Sequence, residues 1–281
     1  MSKLLALLVA ALAAALLAGS GASAAAPRRI VSLSPTATET LFAIGAGRQV
    51  VAVDDQSDYP RQAPRTSLSG FTPNVEAIAG YKPDLVVVAY DPNGLVATLS
   101  GLGIRVLVQD AAKTLGDAYA QIRQLGSLTG HAQQAAALVS RMKKRIGELV
   151  AAGTKRARGL TVYHELEPDL YSATSSTFIG RIYSLFGLKN IADAADKDGS
   201  GYPKLSPEYV VSQSPDIVVL ADIRCCGQSP RTVASRSGWS HIAAVRTGTI
   251  VRIDDSIASR WGPRIVDFIR AVAAALAHLR R

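Results

Sequence analysis

Apolar residues in this chain gather into two recurring patterns. The first is a set of short β-branched runs, RIVSLSP near the start and then QVVAVDD, LVVVAY and IRVLVQD. They lack polar alternation, as expected of strands covered on both faces. Between them lie TATETLFAIGAG, NVEAIAGY and LVATLSGLG, whose apolar positions recur at helical spacing and whose boundaries carry Gly or Pro. The same alternation restarts further on. GLTVYHEL, PDIVVLAD and TIVRID read as strands, while TFIGRIYSLFGL, SPEYVVSQ, SGWSHIAAV and GPRIVDFIRAVAAALAHL read as helical segments, the last with Pro263 in its first turn. Strand–helix alternation of this kind predicts α/β layers.

Residues 114–152 hold no strand pattern. TLGDAYAQIRQLGSLTG is predicted as one helix and HAQQAAALVSRMKKRIGELVAA as a second. In the second, Ala135, Leu138, Val139, Met142, Ile146, Leu149 and Val150 form a single apolar stripe. At 1.5 Å per residue that helix spans roughly 33 Å, and no Gly or Pro cluster softens it. Flanking this region, the chain says nearly the same thing twice. VEAIAGYKPDLVVVAY runs from Val75 to Tyr90, and PEYVVSQSPDIVVLAD runs from Pro207 to Asp222. Glu76 and Pro83 recur as Glu208 and Pro215, each 132 positions later. The predicted fold is therefore two similar three-layer α/β lobes, at 27–129 and 155–281, joined by a single long rigid α-helix at 130–153.

Composition changes this picture at the ends. Lys3, the apolar run LLALLVAALAAALLAG and the small-residue site Ala22-Ser23-Ala24 predict a secretory signal over 1–24. The run is short and Ala-rich for a membrane anchor. Ser20 stands where a bacterial lipoprotein signal carries its Cys, which argues against a lipid anchor. The expected location is outside the cytoplasm. Net charge is +9 over 281 residues, with basic clusters at RMKKR (141–145), KRAR (155–158) and Arg280-Arg281. No helix-turn-helix spacing, zinc-finger ligand set or aromatic-studded basic strand accompanies them, so a solvated basic face is read rather than a nucleic-acid site. The two cysteines are adjacent, Cys225-Cys226. In an oxidising compartment they imply a vicinal disulfide or two links to other chains, the first being favoured.

The segments SLSPTATETLFAIGAG, SDYP, NVEAI…KPDLVV with its echo SPEYVV…SPDIVV, and WGPRIVDFIRAVAAAL together resemble the helical-backbone periplasmic binding proteins. These are the substrate-capturing partners of ABC importers for cobalamin, siderophores and haem, and the wording is closest to the cobalamin binders. The resemblance implies a monomer that carries a small molecule in its interlobe cleft to a permease dimer. It implies no cofactor of the protein's own, the metal arriving inside a cobalt corrinoid or iron chelate. It implies that Glu76 and Glu208 dock onto permease arginines, a two-point charged contact. The ligand is expected at the carboxyl ends of the strands. There the loops offer Tyr59, Phe71, Tyr90, Tyr171 and Tyr202, stacking area suited to a large flat ligand. Arg260 matches a position where a basic residue faces the ligand.

Other chemistry is weaker. YHELEPD places His164 beside Glu165, but a zinc protease needs two His at helical spacing. His164 is instead a candidate axial contact to a ligand's metal. No G-x-S-x-G elbow is present, Ser200 sitting in GSG, and Gly45-x-Gly47 lacks the third glycine of a dinucleotide loop. No catalytic residue is assigned and enzyme activity is not expected. The single stiff connector predicts little closure on ligand binding.

Overall fold

The computed structural model describes residues 25–279. The predicted signal at 1–24 and Arg280-Arg281 lie outside the described residues. The first lobe is built on β1 (Ile30–Leu33), β2 (Val50–Val53), β3 (Leu85–Val88) and β4 (Arg105–Val108), and the second on β5 (Thr161–Glu165), β6 (Lys189–Asn190), β7 (Ile217–Leu220) and β8 (Ile250–Arg252). All pairings are parallel, and the two sheets share one order, β2-β1-β3-β4 and β6-β5-β7-β8. The helices are α1 (Pro35–Ala43), α2 (Val75–Gly80), α3 (Leu95–Gly101), α4 (Leu115–Thr129), α5 (Ala132–Ala157), α6 (Phe178–Phe186), α7 (Pro207–Gln213), α8 (Pro230–Ala234), α9 (Ala243–Thr247), α10 (Asp255–Ala258) and α11 (Ile265–His278).

The repeated sentence now has a physical content. Asn74 and Ser206 cap α2 and α7, their side chains accepting from Ala77 N–H and Tyr209 N–H. Ile78 and Val210, one turn in, are fully buried, each contributing about 1.5–3 kcal/mol of apolar burial. Lys82 and Ser214 both turn the chain with positive φ, +49° and +41°. After the proline, Asp84 accepts from Arg28 N–H and Arg29 N–H at 2.8 and 3.0 Å, tying the turn to the start of β1. Asp216 does the same for β5 through Thr161 N–H at 2.8 Å. The register follows: Ile30 pairs with Leu85, and Val162 pairs with Ile217. A helix cap, a left-handed turn and a carboxylate clamp thus fix each central strand pair.

The long helix α5 carries the predicted stripe, with Ala135, Val139, Met142, Ile146 and Leu149 buried. It runs past the predicted end at 153 to Ala157. Gly153 does not stop it but lets Phe186 approach: a Cβ there would lie 2.7 Å from that ring. The helix packs on α4 of one lobe and α11 of the other, so its stripe belongs to a core continuous from Ile30 and Leu85 to Ile217 and Phe268. Separate apolar clusters cover the opposite face of each sheet, around Val86 in the first lobe and Tyr163 with Trp239 in the second. Each lobe is three-layered as a result. The closing helix begins two residues after Pro263, which precedes its first turn rather than lying in it.

Candidate ligand cleft and docking face

Parallel strands put all their carboxyl ends on one side of each sheet, and the loops leaving them carry the candidate residues. Tyr59 and Phe71 follow β2, Tyr90 follows β3, Tyr171 follows β5 and Tyr202 follows β6. All five are exposed, between 37 and 67 %, in a protein whose other large rings are mostly interior. Tyr202 lines a cavity of 430 Å³ between the lobes, together with Lys113, Ser176, Thr177, Ser259 and Trp261. Trp261 donates its indole N–H to Gln121 Oε1 of the first lobe at 2.8 Å. Tyr59 lies under the Arg264 guanidinium at 4.3 Å, and Tyr171 under Lys204 at 5.5 Å. Tyr59, Phe71, Tyr90 and Tyr171 stand outside the lining of that cavity.

Arg260 is placed differently from a free ligand-facing cation. Its guanidinium donates across the lobes to Glu39 at 2.8 Å, to Asp58 at 2.9 Å and to the Gln56 carbonyl at 2.8 Å. Arg264 joins it on Glu39 at 2.9 and 2.5 Å. Arg224 bridges Asp254 and Asp58 at 3.1 and 3.3 Å. Burial works against the Asp58 carboxylate, but the hydrogen bond and charge of Arg260, with Arg224 behind them, hold it below the ordinary range. Desolvation opposes the Arg264 charge and Glu39 more than restores it. Sequence reasoning missed Glu39, Asp58, Arg224 and Arg264. The only signal was an acid inside the otherwise apolar and hydroxylic TATETLFA, since interlobe partners 166 to 225 positions apart leave no spacing to read.

The two repeat glutamates occupy matched places, Glu76 and Glu208 each second in its helix, and both are exposed. Neither carboxylate has a side-chain partner among the described residues. Beside Glu208 runs a groove of 770 Å³ walled by Leu170, Val211 and Trp239. Arg236 borders it, stacked on Trp239 at 4.5 Å, and reaches inward to hold buried Glu165 with two 2.6 Å bonds. Asp222 is buried next to this pair, and its carboxyl is pushed up to about 7 by burial first and then by the Glu165 charge and hydrogen bond.

The metal reading of His164 fails on burial. Alternation along β5 sends His164 to the linker side with Val162, fully enclosed between Tyr183 and Phe268. Nδ1 meets the Tyr183 hydroxyl at 2.5 Å, and burial drops the imidazole to about 3. A neutral ring in the core cannot reach a ligand in the cleft. Glu165 is likewise occupied by Arg236. Among the described residues no group of three or more His, Cys, Asp or Glu is placed to hold a metal. Ile257 packs partly buried against the shared core. Cys225 and Cys226 are joined to each other, exposed, in the loop after β7.

Comparison with known proteins agrees with this geometry. A cobalamin-binding protein of Halobacterium salinarum is 34% identical over 258 residues, covering 89% of this chain and 69% of its own. An uncharacterized ABC transporter substrate-binding lipoprotein of Bacillus subtilis is 29% identical over 260 residues, covering 89% and 80%. The crystal structure of a periplasmic heme binding protein from Pseudomonas aeruginosa superimposes with a TM-score of 0.75 at 25% identity, covering 89% of this chain and 92% of that one. Residues 30–257 match the periplasmic binding protein family, and the chain belongs to that family.

Proposed function

We propose that this chain captures cobalamin or a related corrinoid between its lobes, outside the cytoplasm, and delivers it to an ABC importer. The observation that carries the cargo is the set of five exposed aromatics on loops at the carboxyl ends of the strands. Exposed rings in that place supply stacking area for a broad planar ligand at small entropic cost. The cobalamin-binding name of one relative supports the same reading, and the transporter name of another supports the partner. Glu76 and Glu208, unpaired and at matched positions, are the docking carboxylates in this reading. The family's members bind and deliver rather than turn over substrate, and no reaction is assigned. Haem is the second reading. The likeness to a heme binding protein favours it; the Arg224, Arg260 and Arg264 guanidinium groups near Tyr59 are already engaged by Asp254, Asp58 and Glu39.

Trp261 is a built-in reporter, because it lines the interlobe cavity while Trp239 is buried under Arg236. Titration with cyanocobalamin, haemin and a ferric siderophore, corrected for ligand absorbance with free tryptophan, tests the cargo. Saturable quenching by cyanocobalamin that Trp261→Phe abolishes is the expected result. A response to haemin or siderophore alone would transfer the cargo to that class, and no response to any would overturn the reading.

A further inference from the structure

The disulfide between Cys225 and Cys226 joins chain neighbours. A bond of this kind closes no long loop, so it takes little freedom from the unfolded chain and staples no two elements together. Its effect is local: it locks one peptide into a small ring. The structure then grips that ring on both sides. The Asp255 carboxylate accepts from Arg224 N–H at 3.0 Å and from Cys225 N–H at 2.7 Å. The Asp222 carbonyl accepts from Cys226 N–H at 3.3 Å and from Gln228 N–H at 3.4 Å.

What the ring presents is the residue just before it. Arg224 donates to Asp254 on its own lobe and reaches across to Asp58 of the other. Asp58 directly precedes Tyr59 and also receives Arg260. The Arg224 side chain is 59 % exposed, and an exposed ion pair on a long side chain contributes little by itself. Such a pair persists only where the backbone presents it at the right place. We propose that the Cys225–Cys226 disulfide is a positioning element of the cleft mouth: it fixes residues 224–226 so that Arg224 bridges to Asp58, and thereby sets how the loop bearing Tyr59 stands against the second lobe. Reduction then loosens that loop, which Arg260 still holds at Asp58 and Gln56, and weakens cargo retention. The effect on cargo rests on the function proposed above, whereas the effect on the mouth does not.

Amide hydrogen exchange of the full chain decides the mouth. Dithiothreitol supplies two electrons and two protons, leaving as its cyclic disulfide and producing two thiols at Cys225 and Cys226. On reduction, the amides of Ser57 and Asp58, in the other lobe, should exchange roughly three- to tenfold faster, while those of β1 and β3 stay unchanged. In Arg224→Ala the same two amides should already be fast, and reduction should add nothing. A disulfide that merely stiffens its own loop would leave Ser57 and Asp58 unmoved. Exchange unchanged within twofold on reduction, or an equal acceleration in Arg224→Ala, overturns the proposal. The double variant Cys225→Ser, Cys226→Ser carries the cargo arm, using cyanocobalamin and haemin as probes. Its affinity for whichever probe binds should fall roughly three- to tenfold. A loss below twofold overturns the retention claim. If the oxidised protein binds neither probe, the cargo reading falls alone and the exchange result still decides the mouth.

Discussion

Replacing Glu39 by Gln tests whether the lobes are held by charge as well as by the helix between them. Glu39 is 2 % exposed and accepts from both Arg260 and Arg264. Arg260 would keep Asp58 and the Gln56 carbonyl. Arg264, 15 % exposed, would lose the one carboxylate it pairs with among the described residues. Removing one member of a buried pair costs about 3–5 kcal/mol, because the remaining charge stays desolvated. Arg264 also rests on the Tyr59 ring and touches solvent, so we expect the lower end, about 3 kcal/mol. For a chain of this length that is a fall in melting temperature of roughly 6–12 °C. Circular dichroism melts of Glu39→Gln, Arg264→Leu and the double variant would measure it, with a coupling energy of at least about 1 kcal/mol. A single-variant loss below about 1 kcal/mol, or simple additivity, would refute the view that this acid ties the lobes. Scattering on the same samples should show the wild type scarcely changing its radius of gyration with ligand.

Two further outcomes follow from the second lobe and the docking face. Asp222 is raised to about 7 from 3.8, so its folded form holds a proton that the unfolded chain releases near pH 4. Its stability contribution is therefore full below about pH 4 and lost as pH rises through 7. Asp222→Asn should match wild type near pH 4 and exceed it at pH 8 in denaturant melts. The His164 contribution runs the other way, lost as pH falls from 6.5 toward about 3, but it is common to both proteins and cancels in the difference. Equal stabilities at pH 8 would show that Asp222 does not carry the proton. Charge reversal, Glu76→Lys with Glu208→Lys, should reduce importer-dependent uptake at least tenfold and leave cargo affinity within twofold. A matching loss of affinity would remove both residues from the docking role.

The parts of the fold that could be read in the sequence are those where one physical demand dominates. LVVV and IVVL are buried on both faces, and a run without alternation says so. The stripe along α5 is legible because both lobes need it. Short elements were not: Lys189–Asn190 makes a strand of two residues with no apolar run, and α8 and α10 rest on local caps at Ser229 and Asp254. Gly153 reads as a helix end and is a place for Phe186, because packing overrode propensity. Exposure of the five aromatics on loops after strands was legible, since loop rings that find no core stay exposed, and of the five only Tyr202 lines the interlobe cavity. Arg260 reads as facing a ligand, whereas its guanidinium is taken up by Glu39, Asp58 and the Gln56 carbonyl of the far lobe. His164 could have been assigned to the core by counting two from Val162 along the strand.

The shared core along α5 has a consequence for how the protein comes into being. A chain that emerges amino end first presents β1 to β4 with α1 and α4 before residues 132–157 exist to pack on α4. The outer face of α4 then stays open until the connector arrives, and the connector in turn waits for Phe268 and Leu276 near the carboxyl end. Closure of the shared core is accordingly the late event, and the unfinished chain is the stage at which a holding chaperone would find the most to grip.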